Sequence, residues 1–187
     1  MEILIILFLI LLNGVFSMSE IALISARKNS LETAAKKGNT NAQVALDLAN
    51  SPNKFLSTVQ IGITLIGILT GIYSGDKITT DVRLFIEGFA SLKPYSDTIA
   101  VGIVVVILTF FSLVLGELLP KRIGLNYPEA IAKAVAVPMK IISIVTAPFI
   151  WLLTISTEGI LKILKIRPSA DGKVTEEEIK AIIKEGT

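Results

Sequence analysis

Three long apolar stretches limit the folds open to this chain more than any other feature of its sequence. They extend from Ile3 to Ala26, from Phe55 to Ser74 and from Thr98 to Leu119. Each is close to the roughly 20 residues that an α-helix needs to cross the hydrocarbon layer of a bilayer. Because lipid offers the backbone no hydrogen-bond partners, a spanning stretch of this kind must be helical. The sequence therefore predicts an all-α membrane protein with three transmembrane helices.

The composition excludes several classes of function. Charged residues make up 18% of the 187 residues, which is below the roughly 25% of soluble domains. There is no Cys and no His, so disulfides, zinc sites and His-based proton relays are excluded. A bound metal would take oxygen ligands, which favours hard cations such as Mg²⁺, Ca²⁺ or Na⁺. The net charge of +2 indicates no nucleic-acid partner, and we expect no enzyme because no nucleophile–base set or phosphate loop is present.

The distribution of Lys and Arg predicts the orientation of the three helices, because cytoplasmic loops carry an excess of these residues. Segment 27–54 has more basic than acidic residues, whereas segment 75–97 has more acidic than basic ones. Lys121 and Arg122 follow the third stretch. We therefore expect a multi-pass protein of the plasma or inner membrane, with its N-terminus outside and its C-terminus in the cytoplasm.

A fourth apolar region, from Ala130 to Ile166, is interrupted by prolines and charged residues. If it crossed the membrane, Lys162, Lys165 and Arg167 would lie outside, against the positive-inside rule. We interpret it as a bent pair of helices at the inner interface. The alternative is a fourth span.

These observations divide the chain into parts. We predict a three-span transmembrane domain with a cytoplasmic helical loop, then juxtamembrane helices, then the start of a truncated cytoplasmic helical domain, at residues 1–129 (loop 27–54), 130–168 and 169–187. The loop should contain two amphipathic helices between Asn29 and Asn50, broken at residues 37–39. Thr175 and Glu178 form a capping box that opens a last helix, at 176–185.

Polar residues inside the three stretches are the candidate functional groups, because burying them in lipid is costly unless they find partners. Helical spacing places them in one stripe per helix. The stripes contain, in order, Asn13, Ser17 and Glu20; Ser57, Gln60 and Thr64, continued by Gly67 and Gly71; and Thr109, Ser112 and Gly116, followed by Glu117.

Pro120 is predicted to add a backbone acceptor to these groups. It has no N–H and cannot donate to the carbonyl of Gly116 four residues earlier, so that oxygen should be free beside the Glu117 carboxylate. Hydroxyls, an amide, a carboxylate and a carbonyl are suitable ligands for a hard cation. The residues alone predict a polar intramembrane site for a cation.

Each group also has an ordinary structural explanation. Hydroxyls in membrane helices commonly bond the carbonyl one turn earlier in their own helix. Glu117 can pair with Lys121, and Glu20 can pair with Arg27 or lie at the inner boundary. Pro120 can simply end a helix.

Three motifs resemble the transmembrane domain of the cyclin-M/CorC family of magnesium transporters, also catalogued as hemolysin-like, TlyC-type membrane proteins. They are FSMSEIAL, QIGIT and LGELLPK, at residues 16–23, 60–64 and 115–121. The resemblance covers nearly the whole chain. It implies a homodimer of three membrane helices per subunit with a belt of juxtamembrane helices, followed by a cytoplasmic nucleotide-binding CBS pair.

The resemblance also implies a dehydrated Mg²⁺ held by oxygens from all three helices. Ser17, the Gly116 carbonyl and Glu117 match the family's motifs. Many relatives have Asn where this chain has Ile63, so a different residue of the second helix must serve. The candidate metal ligands are therefore Ser17, Glu20, Gln60, Thr64, Gly116 and Glu117, with Ser57 as a substitute in the second helix.

The sequence thus indicates an exporter of Mg²⁺, with Co²⁺ as an alternative cargo, that works by alternating access. Coupling to Na⁺ and the direction of transport are implied by the resemblance. The alternative is a membrane anchor that dimerises a cytoplasmic ion or nucleotide sensor and transports nothing itself.

Cysteine labelling tests the predicted topology, since the chain has no cysteine of its own. Lys93→Cys should react with an impermeant thiol reagent added outside, whereas Lys165→Cys should react only after the membrane is opened. Labelling of position 165 from outside would contradict the three-span arrangement.

Overall fold

The computed structural model describes residues 2–74, 77–89 and 91–164, and within these ranges the regular structure is helical. The α-helices are α1 Glu2–Ser25, α2 Lys28–Lys36, α3 Thr40–Ala49, α4 Pro52–Ser74, α5 Lys77–Glu87, α6 Ser96–Leu113, α7 Leu119–Asn126 and α8 Pro128–Ile163. A 3₁₀ turn covers Lys93–Tyr95, and a π-helical turn, hereafter the π turn, covers Val114–Leu118. The all-α class is confirmed for this part of the chain. The predicted last helix at 176–185 lies outside it.

The chain divides into two compact units, residues 1–150 and 151–187. In the second unit the structure describes the end of α8, where the hydroxyls of Ser156 and Thr157 donate to carbonyls one turn earlier in the same helix. The packing described below is that of the first unit.

Helix α1 packs against α4, α7, the π turn and α3. Its apolar side contributes to a core that includes residues of α2, α3, α4 and α8: Leu9, Phe16, Leu23, Leu31, Ala45, Phe55, Val59, Ile66, Ala132 and Met139.

Three glycines allow α1 and its neighbouring helices to approach each other closely. A Cβ at Gly62 would lie 2.3 Å from the Phe16 ring, and one at Gly14 would lie 2.9 Å from both the Leu115 carbonyl oxygen and the Pro120 ring. At Gly124 a Cβ would meet the Met18 carbonyl oxygen at 2.9 Å.

The predicted helix pair in the loop is confirmed as α2 and α3. Gly38 has a φ of +89°, a conformation that side chains disfavour, and it ends the first helix. The Asn39 side chain accepts a hydrogen bond from the Ala42 N–H at 2.9 Å and so caps the second.

The third predicted span is not one regular helix. Helix α6 ends at Leu113, and α7 continues after the π turn, in which the Leu119 N–H bonds the Val114 carbonyl five residues earlier. Pro120 stands at the beginning of α7. Because Pro120 cannot donate to Gly116, the helix loses one backbone hydrogen bond at this point. The wider turn lies immediately before α7, whose second residue is this proline.

Helix α5 lies in the segment between the second and third stretches, where no helix was predicted. It packs against α6. Arg83 of α5 contacts Asp97 at 3.2 Å and Glu87 at 3.5 Å, which links α5 to the first turn of α6.

The expectation of a bent helix pair after residue 130 is wrong for the described residues, because α8 is one helix that contains both Pro138 and Pro148. Each proline removes only one backbone donor, and long apolar helices can accommodate this. Among the described residues, four helical segments are long and apolar enough to cross a membrane: the three predicted spans and Pro128–Ile163. The count of three spans stays a prediction.

Substitution of Gly14 tests the close packing of α1. Gly14→Ala would force the new methyl against a backbone oxygen and a proline ring, neither of which can rotate away, and should cost about 1–3 kcal/mol of unfolding free energy. Gly67→Ala is the matched control, because a Cβ there meets nothing within 4 Å. Melting temperatures in detergent measure both. Equal values for Gly14→Ala and the wild type would contradict the described contact.

Candidate cation site

The Ser17 hydroxyl is the most unusual polar group in the described structure. The residue is 1% exposed, and its Oγ has no hydrogen-bond partner among the described residues. Two other buried hydroxyls bond their own helix: Ser19 donates to the Val15 carbonyl at 2.6 Å and Thr58 to the Lys54 carbonyl at 2.8 Å. A buried hydroxyl left unpaired costs about 1–3 kcal/mol. Ser17 therefore occupies a position suited to a partner that the chain itself does not supply.

Asn13 lies one helical turn before Ser17 and connects α1 to the π turn. Its side-chain amide donates to the Gly116 carbonyl oxygen at 3.0 Å. The expectation that this oxygen is free is therefore wrong: it is released by Pro120, as predicted, but is then bonded by Asn13. A carbonyl oxygen has two lone pairs, so Gly116 can still accept one further contact.

Glu117 follows Gly116 in the π turn, and its carboxylate already has a partner. The Lys121 Nζ lies 2.8 Å from Glu117 Oε1, in the i,i+4 pair that the sequence offers as the ordinary explanation of this residue. The two side chains are 43% and 36% exposed. An ion approaching Glu117 can reach it without unfolding the turn.

The second-helix candidates do not join this buried group within the chain. Gln60 and Thr64 are exposed and Ser57 is half-buried. The buried polar residue of α4 is instead Thr58, whose Oγ1 lies 3.5 Å from that of Thr146 in α8. Thr58 is on the opposite side of α4 from the predicted stripe, and only its burial distinguishes it from the other hydroxyl residues.

Glu20, the remaining candidate, is half-buried on α1. Its proposed pairing partner is engaged elsewhere, since Arg27 Nε contacts Glu129 Oε1 of α8 at 2.9 Å. This ion pair, which was not predicted from the sequence, joins the residue before α2 to the first turn of α8.

A cavity of about 190 Å³ lies between α1, α4 and α6. Its walls are Ile10, Asn13, Ile63, Ile66, Gly67, Thr70 and Ser112. The polar members come from all three helices and carry no formal charge, and the space is large enough for several water molecules. Asn13 thus lines a largely apolar cavity and also bonds Gly116. Thr70 was missed by the sequence analysis because it lies off the predicted stripe.

Long apolar helices, four of them long enough to cross a bilayer among the described residues, are typical of a multi-pass membrane protein. The chain belongs to the family of the cyclin M transmembrane N-terminal domain, whose pattern matches residues 4–187. The family resemblance predicted from the three motifs is confirmed.

Several curated relatives align over nearly the whole chain. A UPF0053 protein of Synechocystis is 46% identical over 100% of this chain and 42% of its own length. The polyamine export protein of Escherichia coli K12 is 32% identical over 99% of this chain and 41% of its own length. A UPF0053 protein of Bacillus subtilis is 26% identical over 95% of this chain and 39% of its own length. The chain thus spans about two fifths of the length of these relatives.

Two serine substitutions test whether Ser17 is unpaired in the cation-free protein. In the presence of a chelator, Ser17→Ala should melt at the wild-type temperature or slightly above it, because it removes a buried group that has no partner. Ser19→Ala is the control. It should lose about 1 kcal/mol of unfolding free energy, and so melt at a lower temperature, because it loses the hydrogen bond to the Val15 carbonyl. A Ser17→Ala variant that is as destabilised as Ser19→Ala would show that the Ser17 hydroxyl has a partner after all.

Proposed function

We propose that this chain is the membrane part of a cation transporter whose cargo is Mg²⁺. The observation that carries the proposal is the buried, unpaired Ser17 hydroxyl. It lies one turn from Asn13, which contacts the Gly116 carbonyl directly beside Glu117. The proposal requires that the Ser17 hydroxyl, the Gly116 carbonyl and the Glu117 carboxylate, which come from two different helical segments, act together on one ion.

The chemistry of these groups fits Mg²⁺ better than a softer metal. All are oxygens, and Mg²⁺ takes oxygen ligands in a near-octahedral arrangement. Glu117 supplies one formal negative charge, so the divalent ion would be incompletely neutralised and weakly held. Weak binding suits a protein that must release its cargo. The remaining ligands would be water or the other candidates, Glu20, Gln60 and Thr64.

Several finer points of the proposal rest on the family resemblance. They are alternating access, export rather than uptake, coupling to Na⁺, Co²⁺ as an alternative cargo, and a homodimer in the plasma or inner membrane with a cytoplasmic nucleotide-binding domain. The proposal assigns the chain no enzymatic activity.

A second candidate cargo is a polyamine. Relatives 32–33% identical to this chain are named polyamine export proteins. In addition, Glu117 Oε1 already accepts a hydrogen bond from a primary ammonium, because Lys121 Nζ lies 2.8 Å from it. The end group of a polyamine is the same chemical group, so the carboxylate can accept either kind of cation.

A membrane anchor for a cytoplasmic sensor is the alternative of a different class. It requires no cation at Ser17 and Glu117, and no flux. An anchor would leave the unpaired Ser17 hydroxyl without a role.

Substitutions at Glu117 and Ser17 test the site through the Mg²⁺-dependent rise in melting temperature, since an ion that binds only the folded state stabilises it. We expect the rise to decrease from the wild type to Ser17→Ala, then Glu117→Gln, then Glu117→Lys. Loss of one neutral oxygen weakens binding less than loss of the charge, and a fixed ammonium repels the ion. The series is measured in purified protein at fixed ionic strength.

Flux from proteoliposomes identifies the cargo in the same variants. Mg²⁺ flux that is lost in Glu117→Lys supports the proposal, and spermidine flux with the same dependence supports the second candidate. Absence of both fluxes in the wild type would favour the anchor. If Glu117→Lys keeps the wild-type Mg²⁺ response in both assays, the site lies elsewhere.

A further inference from the structure

We propose that the Lys121 ammonium is a tethered competitor of the cargo cation at Glu117: it neutralises the carboxylate when the site is empty and must leave before the cargo binds. This inference rests on the proposed function of Glu117 as a cargo ligand. It adds a residue, Lys121, that sets the affinity and the turnover of that site.

The geometry of the pair is the first support. Lys121 Nζ lies 2.8 Å from Glu117 Oε1, the separation of a charge-assisted hydrogen bond. The two residues belong to different segments, because Glu117 is in the π turn and Lys121 is in α7. The junction between the segments is fixed, since Pro120 is buried and its ring lies against Gly14 of α1. The backbone therefore holds Lys121 within reach of Glu117.

Electrostatics makes the two cations exclusive. Mg²⁺ would bind a carboxylate oxygen at about 2.0–2.1 Å, and an ammonium hydrogen-bonded to the same carboxylate would then be a near neighbour of a divalent ion. Like charges at that distance repel strongly in a medium less polar than water. The Lys121 side chain is flexible and 36% exposed, so it can move aside. Cargo binding is thus an exchange of one cation for another.

The empty state provides the second support. A carboxylate that is partly removed from water is costly unless it is paired, and the Glu117 side chain is 43% exposed. When the cargo leaves, Glu117 would be a bare charge unless another cation replaced it, and Lys121 is positioned to do so. The tethered ammonium should therefore lower the affinity for cargo and at the same time assist the return of the empty protein.

A purely structural role gives different expectations. An i,i+4 pair that only stabilises the helix affects the melting temperature slightly and has no reason to oppose cation binding. Arg122 is the matched control, because it is the neighbouring cation in α7 and is exposed. Arg122→Met removes the same charge from the same turn, whereas Lys121→Met also removes the contact with Glu117.

The test is calorimetric titration with Mg²⁺ of the purified protein, combined with the initial rate of Mg²⁺ flux at saturating concentration in proteoliposomes. Lys121→Met should bind Mg²⁺ about two- to fivefold more tightly than the wild type. Its maximal flux should be lower, because the empty protein now carries an unpaired carboxylate. Lys121→Arg should resemble the wild type, and Arg122→Met should change neither quantity as much. Lys121→Gln gives the same comparison if the methionine variant does not fold.

A double-mutant cycle with Glu117→Gln assigns the effect to the pair. The gain in affinity from Lys121→Met should vanish in the Glu117→Gln background. If Glu117→Gln weakens Mg²⁺ binding but Lys121→Met and Lys121→Gln bind like the wild type, this inference is overturned and the proposed function stands. A gain as large in Arg122→Met also overturns it. If Glu117→Gln binds Mg²⁺ like the wild type, the proposed function itself fails.

Discussion

The contact between α1 and the π turn is the constraint on which the rest of this structure depends. Pro120 removes one helical hydrogen bond, and the Asn13 amide from α1 bonds the carbonyl that is thereby released. Gly14, the next residue, lets the two backbones approach closely enough for this bond to form. The same helix turn thus supplies the polar contact and the space for it. Ser17 and Glu117 acquire their positions from this junction.

Hydroxyl groups within the membrane helices fall into two kinds. Ser19, Thr58, Thr70 and others donate to carbonyls of their own helix, which satisfies them without a neighbour. Ser17 does not, although it lies in the same helix as Ser19 and is equally buried. The difference is not one of residue type or of depth. The absence of a partner within the described residues is why we give Ser17 the central role.

Features set by local chemistry could be predicted from the sequence, and features set by packing between distant segments could not. Apolar length predicted the long helices, and Gly38 with Asn39 predicted the break between α2 and α3. The missing N–H of Pro120 predicted an oxygen released at residue 116. That Asn13 would bond this oxygen depends on how α1 lies against the π turn, about which the local sequence carries no information. Whether the Glu117 carboxylate pairs with Lys121 or with another cation likewise depends on where the side chains lie in the folded protein.

The ion pair between Arg27, two residues after α1, and Glu129 makes this end of α1 sensitive to dissolved salt in a way that the middle of the helix is not. Arg27 is 83% exposed, so dissolved salt screens this pair. The contacts at Gly14 and Gly62 are steric and apolar, and ionic strength does not weaken them. High salt should therefore loosen the attachment of α1 to α8 while leaving its packing on α4 and the π turn intact. The chain just after Ser25 is thus held to α8 by an ion pair that salt can weaken, whereas the middle of α1 is held by close packing that salt does not affect.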